Sequence, residues 1–289
     1  MTRYALLIAW VSAPTLVAAT LAYVWWRRRR QHYMPAEPKV LRTDLEYWYY
    51  GIQPGEADAV AGHVTLIHES GWYLDAAGIA HSMRSHGMRT MLTVQDQIWD
   101  GNKIRTDAGD RLRSLFNALR DVLHQVVALY VIDEPDGRNC THEDVVRACV
   151  LLRQVALDYP ALAGVKLAVT YSYKGTLPGI DALDWVGLDD YGKGSGVLIG
   201  REWLQMMSRL RPDQRCYVVP GGANPWRQDP EAFRRYAHAT PQCIGIMPFM
   251  WGARDDSGEK NEGIKRNGMA PRYESLGHEV LNLRPDSGS

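Results

Sequence analysis

From residue 44 onward the chain alternates short apolar runs with longer stretches in which apolar residues recur every three or four positions. A short run of Val, Ile, Leu and aromatic residues suits a strand buried on both faces, and the longer period suits a helix covering one of those faces. Eight runs read as strands: Leu45–Tyr50, His63–His68, Thr90–Val94, Val126–Ile132, Val165–Thr170, Trp185–Leu188, Cys216–Val219 and Ile244–Phe249. Before the fourth, Leu112, Leu115, Phe116, Leu119, Val122 and Leu123 form the i, i+3, i+4, i+7 stripe of a helix packed on a sheet. Thr141-His142-Glu143-Asp144 opens the next helix with a capping box, and Asp229-Pro230-Glu231 opens a later one with a cap, a first-turn proline and an acid. Eight strand–helix units in about 240 residues predict an α/β fold, a closed (β/α)8 TIM barrel over residues 44–289. No GxGxxG or Walker A sequence supports an open nucleotide-binding sheet.

The first 30 residues follow a different pattern. Tyr4 to Trp26 is an apolar stretch closed by Trp25-Trp26 and then Arg27 to Arg30. Roughly 20 apolar residues span a bilayer, and a Trp pair beside a basic cluster is an interfacial anchor. The expectation is a single-pass transmembrane helix over residues 1–30. Small residues near Ala18-Ala19 and Ala22 leave a cleaved signal peptide as the competitor, which four arginines directly after the cut oppose. The arginines after the span outweigh Arg3 before it and favour a cytoplasmic barrel, whereas action on an envelope polysaccharide requires the other side. The side of the membrane stays open. Residues 31–43, with Pro35 and Pro38, read as a linker.

Composition narrows the partners. Of 289 residues 46% are hydrophobic, and 33 Lys and Arg balance 33 Asp and Glu, so there is no electrostatic reason to expect nucleic acid. Trp (10) and Tyr (15) far outnumber Phe (3), and these rings suit half-wet surfaces such as a sugar cleft. Cys140, Cys149, Cys216 and Cys243 form no CxxC, and the nine histidines form no HxH or HExxH, so neither a metal nor a cofactor is expected. Cys216 and Cys243 open adjacent predicted strands; buried free thiols are the expectation there, with a disulfide as the alternative.

In a barrel the carboxyl ends of the strands converge on one rim, where catalytic groups collect. Here those ends carry His68, Glu69 and Trp72; Asp96 after strand three; Asp133-Glu134-Pro135 after strand four; Tyr171 after strand five; Asp189, Asp190 and Tyr191 after strand six; Asn224 after strand seven; and Trp251 after strand eight. Acids, amides and aromatic rings dominate and cations are few, a mixture that recognises sugar hydroxyls by hydrogen bonding and stacking. Gly221-Gly222 before a helix is the one phosphate-cradle feature. Each residue also has an ordinary structural role open to it: Asp133 as a turn cap, Glu134 as an ion-pair partner, His68 and Glu69 as strand-end hydrogen-bonders, Trp251 as core. Strand alternation lets only one of Asp189 and Asp190 point into the mouth.

With these residues in place, the chain resembles the glycoside hydrolase barrel superfamily. Asp133-Glu134-Pro135 looks like the Asn-Glu-Pro that ends strand four in the large retaining clan, and Met250-Trp251-Gly252 is similar to its aromatic platform. The resemblance implies a glycosidase acting on a polysaccharide or oligosaccharide, with Glu134 as general acid/base and Asp133 holding the sugar's 2-substituent. The clan's nucleophile, a second Glu at the end of strand seven, is replaced here by Pro220-Gly221-Gly222. Three repairs follow. Asp189 or Asp190 supplies the second carboxylate; or the Asp-Glu pair works as in substrate-assisted hexosaminidases, with Tyr191 as a further acetamido contact; or the barrel binds glycans without cleaving them.

Overall fold

The computed structural model describes residues 36–52, 55–70, 75–172, 176–189, 201–223, 225–252 and 262–284. Eight strands form one all-parallel curled sheet: β1 (Glu46–Tyr47), β2 (Ile67–Glu69), β3 (Thr90–Thr93), β4 (Val126–Asp133), β5 (Lys166–Tyr171), β6 (Trp185–Asp189), β7 (Arg215–Val219) and β8 (Cys243–Ile246). The order is β1-β8-β7-β6-β5-β4-β3-β2, which leaves β1 and β2 at the two ends. Hydrogen bonds bring those ends together. The Thr65 amide donates to the Tyr47 carbonyl (2.7 Å), the Tyr47 amide to Thr65 Oγ1 (2.8 Å) and the Ile52 amide to the His68 carbonyl (3.0 Å). The architecture is an α/β barrel-like fold.

Helices α1 (Ala76–His86), α2 (Ala108–Ala118), α3 (His142–Ala156), α4 (Arg201–Met207), α5 (Pro230–Ala239) and α6 (Ala270–Leu283) accompany the sheet. The predicted stripe from Leu112 to Leu123 is buried throughout. Thr141 caps α3 by accepting from the Asp144 amide (3.1 Å), and Asp229 caps α5 through the Glu231 amide (3.1 Å). Two connections differ from expectation. Residues 61–63 wind into a 3₁₀ turn, so β2 starts later than His63; and the described part of the β5–β6 link holds only the 3₁₀ turn Ile180–Ala182. The chain before β1 lies against the barrel: the Arg42 guanidinium donates to the carbonyls of Thr240 and Cys243 (2.7 Å each) beyond the end of α5.

Period-two alternation sorts the strand residues into two cores. Tyr47, Tyr49, Ile67, Leu92, Val169, Tyr171, Val186, Leu188, Cys216 and Val218 join the layer between sheet and helices. Trp48, Tyr50, Leu66, Met91, Ala128, Tyr130, Ala168, Trp185, Tyr217, Val219 and Met247 pack on one another as a second cluster inside the curl. All four cysteines are buried free thiols; Cys216 and Cys243 sit opposite each other in the β7–β8 register without a disulfide.

The membrane-anchor expectation is corrected by the structure. Among the described residues no helix is long and apolar enough to cross a membrane. The longest, α3, has 15 residues, and at roughly 1.5 Å per residue it falls well short of a bilayer core of about 30 Å. It is also amphipathic, with Val145, Ala148, Cys149, Leu152 and Val155 buried and charged residues opposite them. Residues 4–26, on which that expectation fell, lie outside the described residues.

Candidate active site

The inward set of side chains ends, at the carboxyl side of the sheet, in Tyr50, His68, Thr93, Asp133, Thr170, Asp189, Val219 and Phe249. Asp133 belongs to this set because of a register irregularity. Ala128 and Tyr130 face inward, so simple alternation turns Ile132 inward as well. The β4–β5 register shifts between Tyr130 and Ile132, pairing Ile132 with Val169 and Asp133 with Thr170. Val131 and Ile132 both join the outer layer, and Asp133 turns in above Tyr130. The Tyr130 hydroxyl donates to Asp133 Oδ1 at 2.8 Å, and Gln95 Oε1 accepts the Asp133 amide at 2.8 Å.

Glu134 follows with φ 46°, a left-handed conformation that costs a non-glycine residue about 1–2 kcal/mol. Its amide still donates to the Thr170 carbonyl (3.0 Å), and its carbonyl accepts from the Arg138 amide (2.9 Å), so the loop folds back at once. Gly137 lies against the Glu134 side chain: a Cβ there would sit 3.0 Å from Glu134 Oε2 and 3.2 Å from Ser172 Oγ. Buried Asp136 accepts from the Ser172 amide (3.0 Å), fixing the loop to the end of β5. Arg138 spends its Nε on the Asp133 carbonyl (2.7 Å).

Asp189, only 4% exposed, reaches the same place from β6, beside Glu134 and Asp133. Burial first, then the charges of Glu134 and Asp133, push its pKa well above the ordinary carboxylate value. Burial also pushes Asp133 up to about 6; the Tyr130 hydroxyl opposes that, the neighbouring Glu134 adds to it, and Tyr50 and Arg138 oppose it. His68 is fully buried, accepts the Gly51 amide at Nδ1 (3.2 Å) and places Nε2 2.8 Å from Thr93 Oγ1. Its pKa falls to about 3 through burial, which keeps the ring neutral with the proton on Nε2.

The fold therefore brings together Asp133, Glu134 and Asp189, with His68 beneath them. It places other expected residues elsewhere. Glu69 points outward, accepting from Ser82 (2.5 Å) and lying 3.2 Å from His86 on α1. Tyr171 is buried in the outer layer, donating to the Pro178 carbonyl (2.7 Å). Trp251 packs on Tyr49 (4.9 Å) and His63 (5.3 Å), again in that layer. Asp96 is half-buried in the short helix Gln95–Ile98. Trp72, Asp190, Tyr191 and Asn224 lie outside the described residues. At the end of β7, Gly221 bonds Gln228 and bridges Phe249, and Gly222 lies against Ile264 and Tyr273, so no carboxylate arises from residues 219–223. Tyr130, Tyr50 and Gln95 surround Asp133 and were not singled out by sequence; Tyr50 and Tyr130 were legible only as apolar strand residues.

No protein-family model matches the sequence, and no curated protein matches it. Solved structures do. The chain is similar to Saccharomyces cerevisiae Gas2p in complex with laminaripentaose, with TM-score 0.52 and 10% identity over 89% of this chain and 71% of that one. A Gas2 structure in complex with a small compound gives TM-score 0.55 at 10% identity and the same coverage. The GH2 beta-galacturonidase from Eisenbergiella tayi bound to galacturonate gives TM-score 0.53 at 7% identity, over 83% of this chain and 51% of that one. The chain thus shares the α/β barrel fold of these structures.

Proposed function

We propose that the protein cleaves a glycosidic bond in an oligosaccharide or polysaccharide, with Glu134 as general acid/base. The observation that carries this is the meeting of Asp133, Glu134 and Asp189 at the carboxyl ends of β4 and β6, where a barrel enzyme keeps its chemistry. A buried acid whose neutral form is favoured can hold a proton beside a more accessible one. Glu134, half-buried, delivers that proton to the leaving oxygen, and Asp189 is the buried partner that holds it. Burial favours the neutral form of Asp189 over the carboxylate a nucleophile needs, so Asp189 is assigned to proton holding and not to nucleophilic attack. Asp133, ionised above about pH 6, faces the sugar ring and stabilises the positive charge that develops on it. Attack on the anomeric carbon then falls to water or to the sugar's own 2-acetamido group.

The test uses the full chain and its Glu134→Gln variant with laminari-oligosaccharides, other polysaccharides and aryl glycosides with and without a 2-acetamido group, followed by reducing-sugar release. Turnover is expected in the parent and is expected to fall by about 10²–10⁴-fold in the variant. Preference for the 2-acetamido substrates assigns the nucleophile to the substrate. A second reading, a glycan-binding barrel without catalysis, is favoured by Pro220-Gly221-Gly222 at the end of β7. Binding without turnover in parent and variant supports it, and absence of both binding and turnover sinks both readings.

A further inference from the structure

We propose that Tyr130 is a positioning residue for this site: its buried hydroxyl fixes Oδ1 of Asp133 and so presents Asp133 to the sugar as a carboxylate in one orientation. The inference rests on the glycosidase reading above and adds a residue to it. The 2.8 Å hydrogen bond exists only because the irregularity in β4 places Asp133, and not Ile132, over the Tyr130 ring. The ring itself has little freedom. It meets His68 edge-on at 5.0 Å and 60° and Tyr50 at 5.9 Å and 82°, while Tyr50 meets His68 at 5.2 Å and 90°. His68 is in turn bonded at both nitrogens, to the Gly51 amide and to Thr93. Three rings packed edge to face, all fully or almost fully buried, thus form a rigid floor from which the Tyr130 hydroxyl projects. Held groups of this kind lower a barrier by removing the need to reorganise when charge develops.

The titratable and charged groups around Asp133 are Tyr50 from the end of β1, Tyr130 on its own strand, Glu134 and Arg138 from the following loop, Asp189 from β6 and Tyr217 from β7. The phenols stay neutral across the working range, because burial raises each of them above its ordinary value. A hydroxyl that donates to a carboxylate favours the ionised form, so its removal raises the carboxyl's pKa.

Tyr130→Phe deletes one oxygen and keeps the ring. In the full chain labelled with 13C at aspartate carboxyls, the Asp133 titration, near pH 6 in the parent, is expected to move to higher pH in this variant. The acid limb of its pH–rate profile is expected to move the same way, with kcat at pH 6 down about tenfold or more and KM within about twofold. Tyr217→Phe removes an equally buried hydroxyl, bonded to Thr170 at 3.1 Å, and is expected to leave the Asp133 titration in place. An unmoved titration in a folded Tyr130→Phe protein, or an equal shift in Tyr217→Phe, overturns the proposal. In the unmutated chain an H/D isotope shift at the Asp133 carboxyl carbon reports the same hydrogen bond without any substitution, and its absence is equally fatal. A parent with no turnover defeats the glycosidase reading instead, while the titration still decides the Tyr130 contact.

Discussion

Replacing a carboxyl by an amide removes a charge only where the carboxyl was ionised, which makes pH the probe of both Asp133 and Asp189. Both have folded pKa values raised above the unfolded value near 3.8. In such a case the folded state binds more protons than the unfolded state between the two values, so stability falls as pH rises through that window. For Asp133 the loss runs from about pH 4 to about pH 6 and then stops; for Asp189 it starts from the same unfolded value and has the same sign. Asp133→Asn is therefore expected to gain thermal stability relative to the parent between pH 4 and 6, with a constant difference above. Asp189→Asn keeps the neutral form that burial favours, so its advantage is also expected to grow as pH rises from about 4. Melting temperatures taken from pH 4 to 8 check both. A parent and an Asp189→Asn protein that run parallel across the whole range would show that Asp189 is not the proton holder.

Gly187 in β6 shows how tightly the elements dictate the site above them. It pairs with Tyr217 of β7, and a Cβ there would intrude on the edge of the Tyr217 ring and lie 2.9 Å from Thr170 Oγ1. A rigid ring held on both sides cannot yield, so Gly187→Ala is expected to cost at least about 1–3 kcal/mol, read as a lower urea midpoint with an unchanged m-value. The two-residue period already legible in the sequence accounts for much of this layer. It places Gly187 and Asp189 inward together, and it places Tyr171 outward once Thr170 faces in. Glu69 follows the same parity against His68. Assigning Tyr171, Glu69 and Trp251 to the mouth from their chemistry alone overrode that period, and the structure puts all three in the outer layer. Tyr130 and Asp133 are the opposite case. Their contact depends on an extra residue in β4, and a register shift between Tyr130 and Ile132 leaves no mark on an apolar run. The eight strands were legible because both-face burial leaves continuous apolar runs, whereas β1 and β2 are shorter than their runs because residues 61–63 wind into a 3₁₀ turn and, beyond Tyr47, separate backbone bonds from Trp48 to Ile246 and from Tyr50 to Pro248 take the place of a regular ladder.

That pairing also governs how the barrel-like sheet closes. The sheet order ends at β1 and β2, and β1 has only two residues in its ladder. Across the seam, Thr65 does most of the joining: its amide donates to the Tyr47 carbonyl, and its hydroxyl oxygen accepts the Tyr47 amide. Side chains tie β1 from other directions. Glu46 accepts from Arg89 (2.5 Å) and Arg284 (2.7 Å), and the Tyr47 hydroxyl donates to the Tyr273 carbonyl (2.8 Å). Thr65→Val keeps the shape and leaves the buried Tyr47 amide without its acceptor, an expected loss of about 1–3 kcal/mol. Amide hydrogen exchange distinguishes two kinds of closure. If β1 opens as a local unit, Tyr47 and Ile52 lose protection in the variant while the amides of β4 to β7 exchange as before. If the seam is part of the cooperative core, protection falls evenly around the sheet. The first outcome is expected, because the ladder at the seam is short and the ties beside it run to the helices and to the edge of β3. The consequence reaches the carboxyls, since Tyr50 and His68 stand on opposite sides of this seam and carry Tyr130 between them. A Thr65→Val protein that opens locally should therefore also show a broadened Asp133 carboxyl resonance, and a sharp one would mean that the floor is held without the seam.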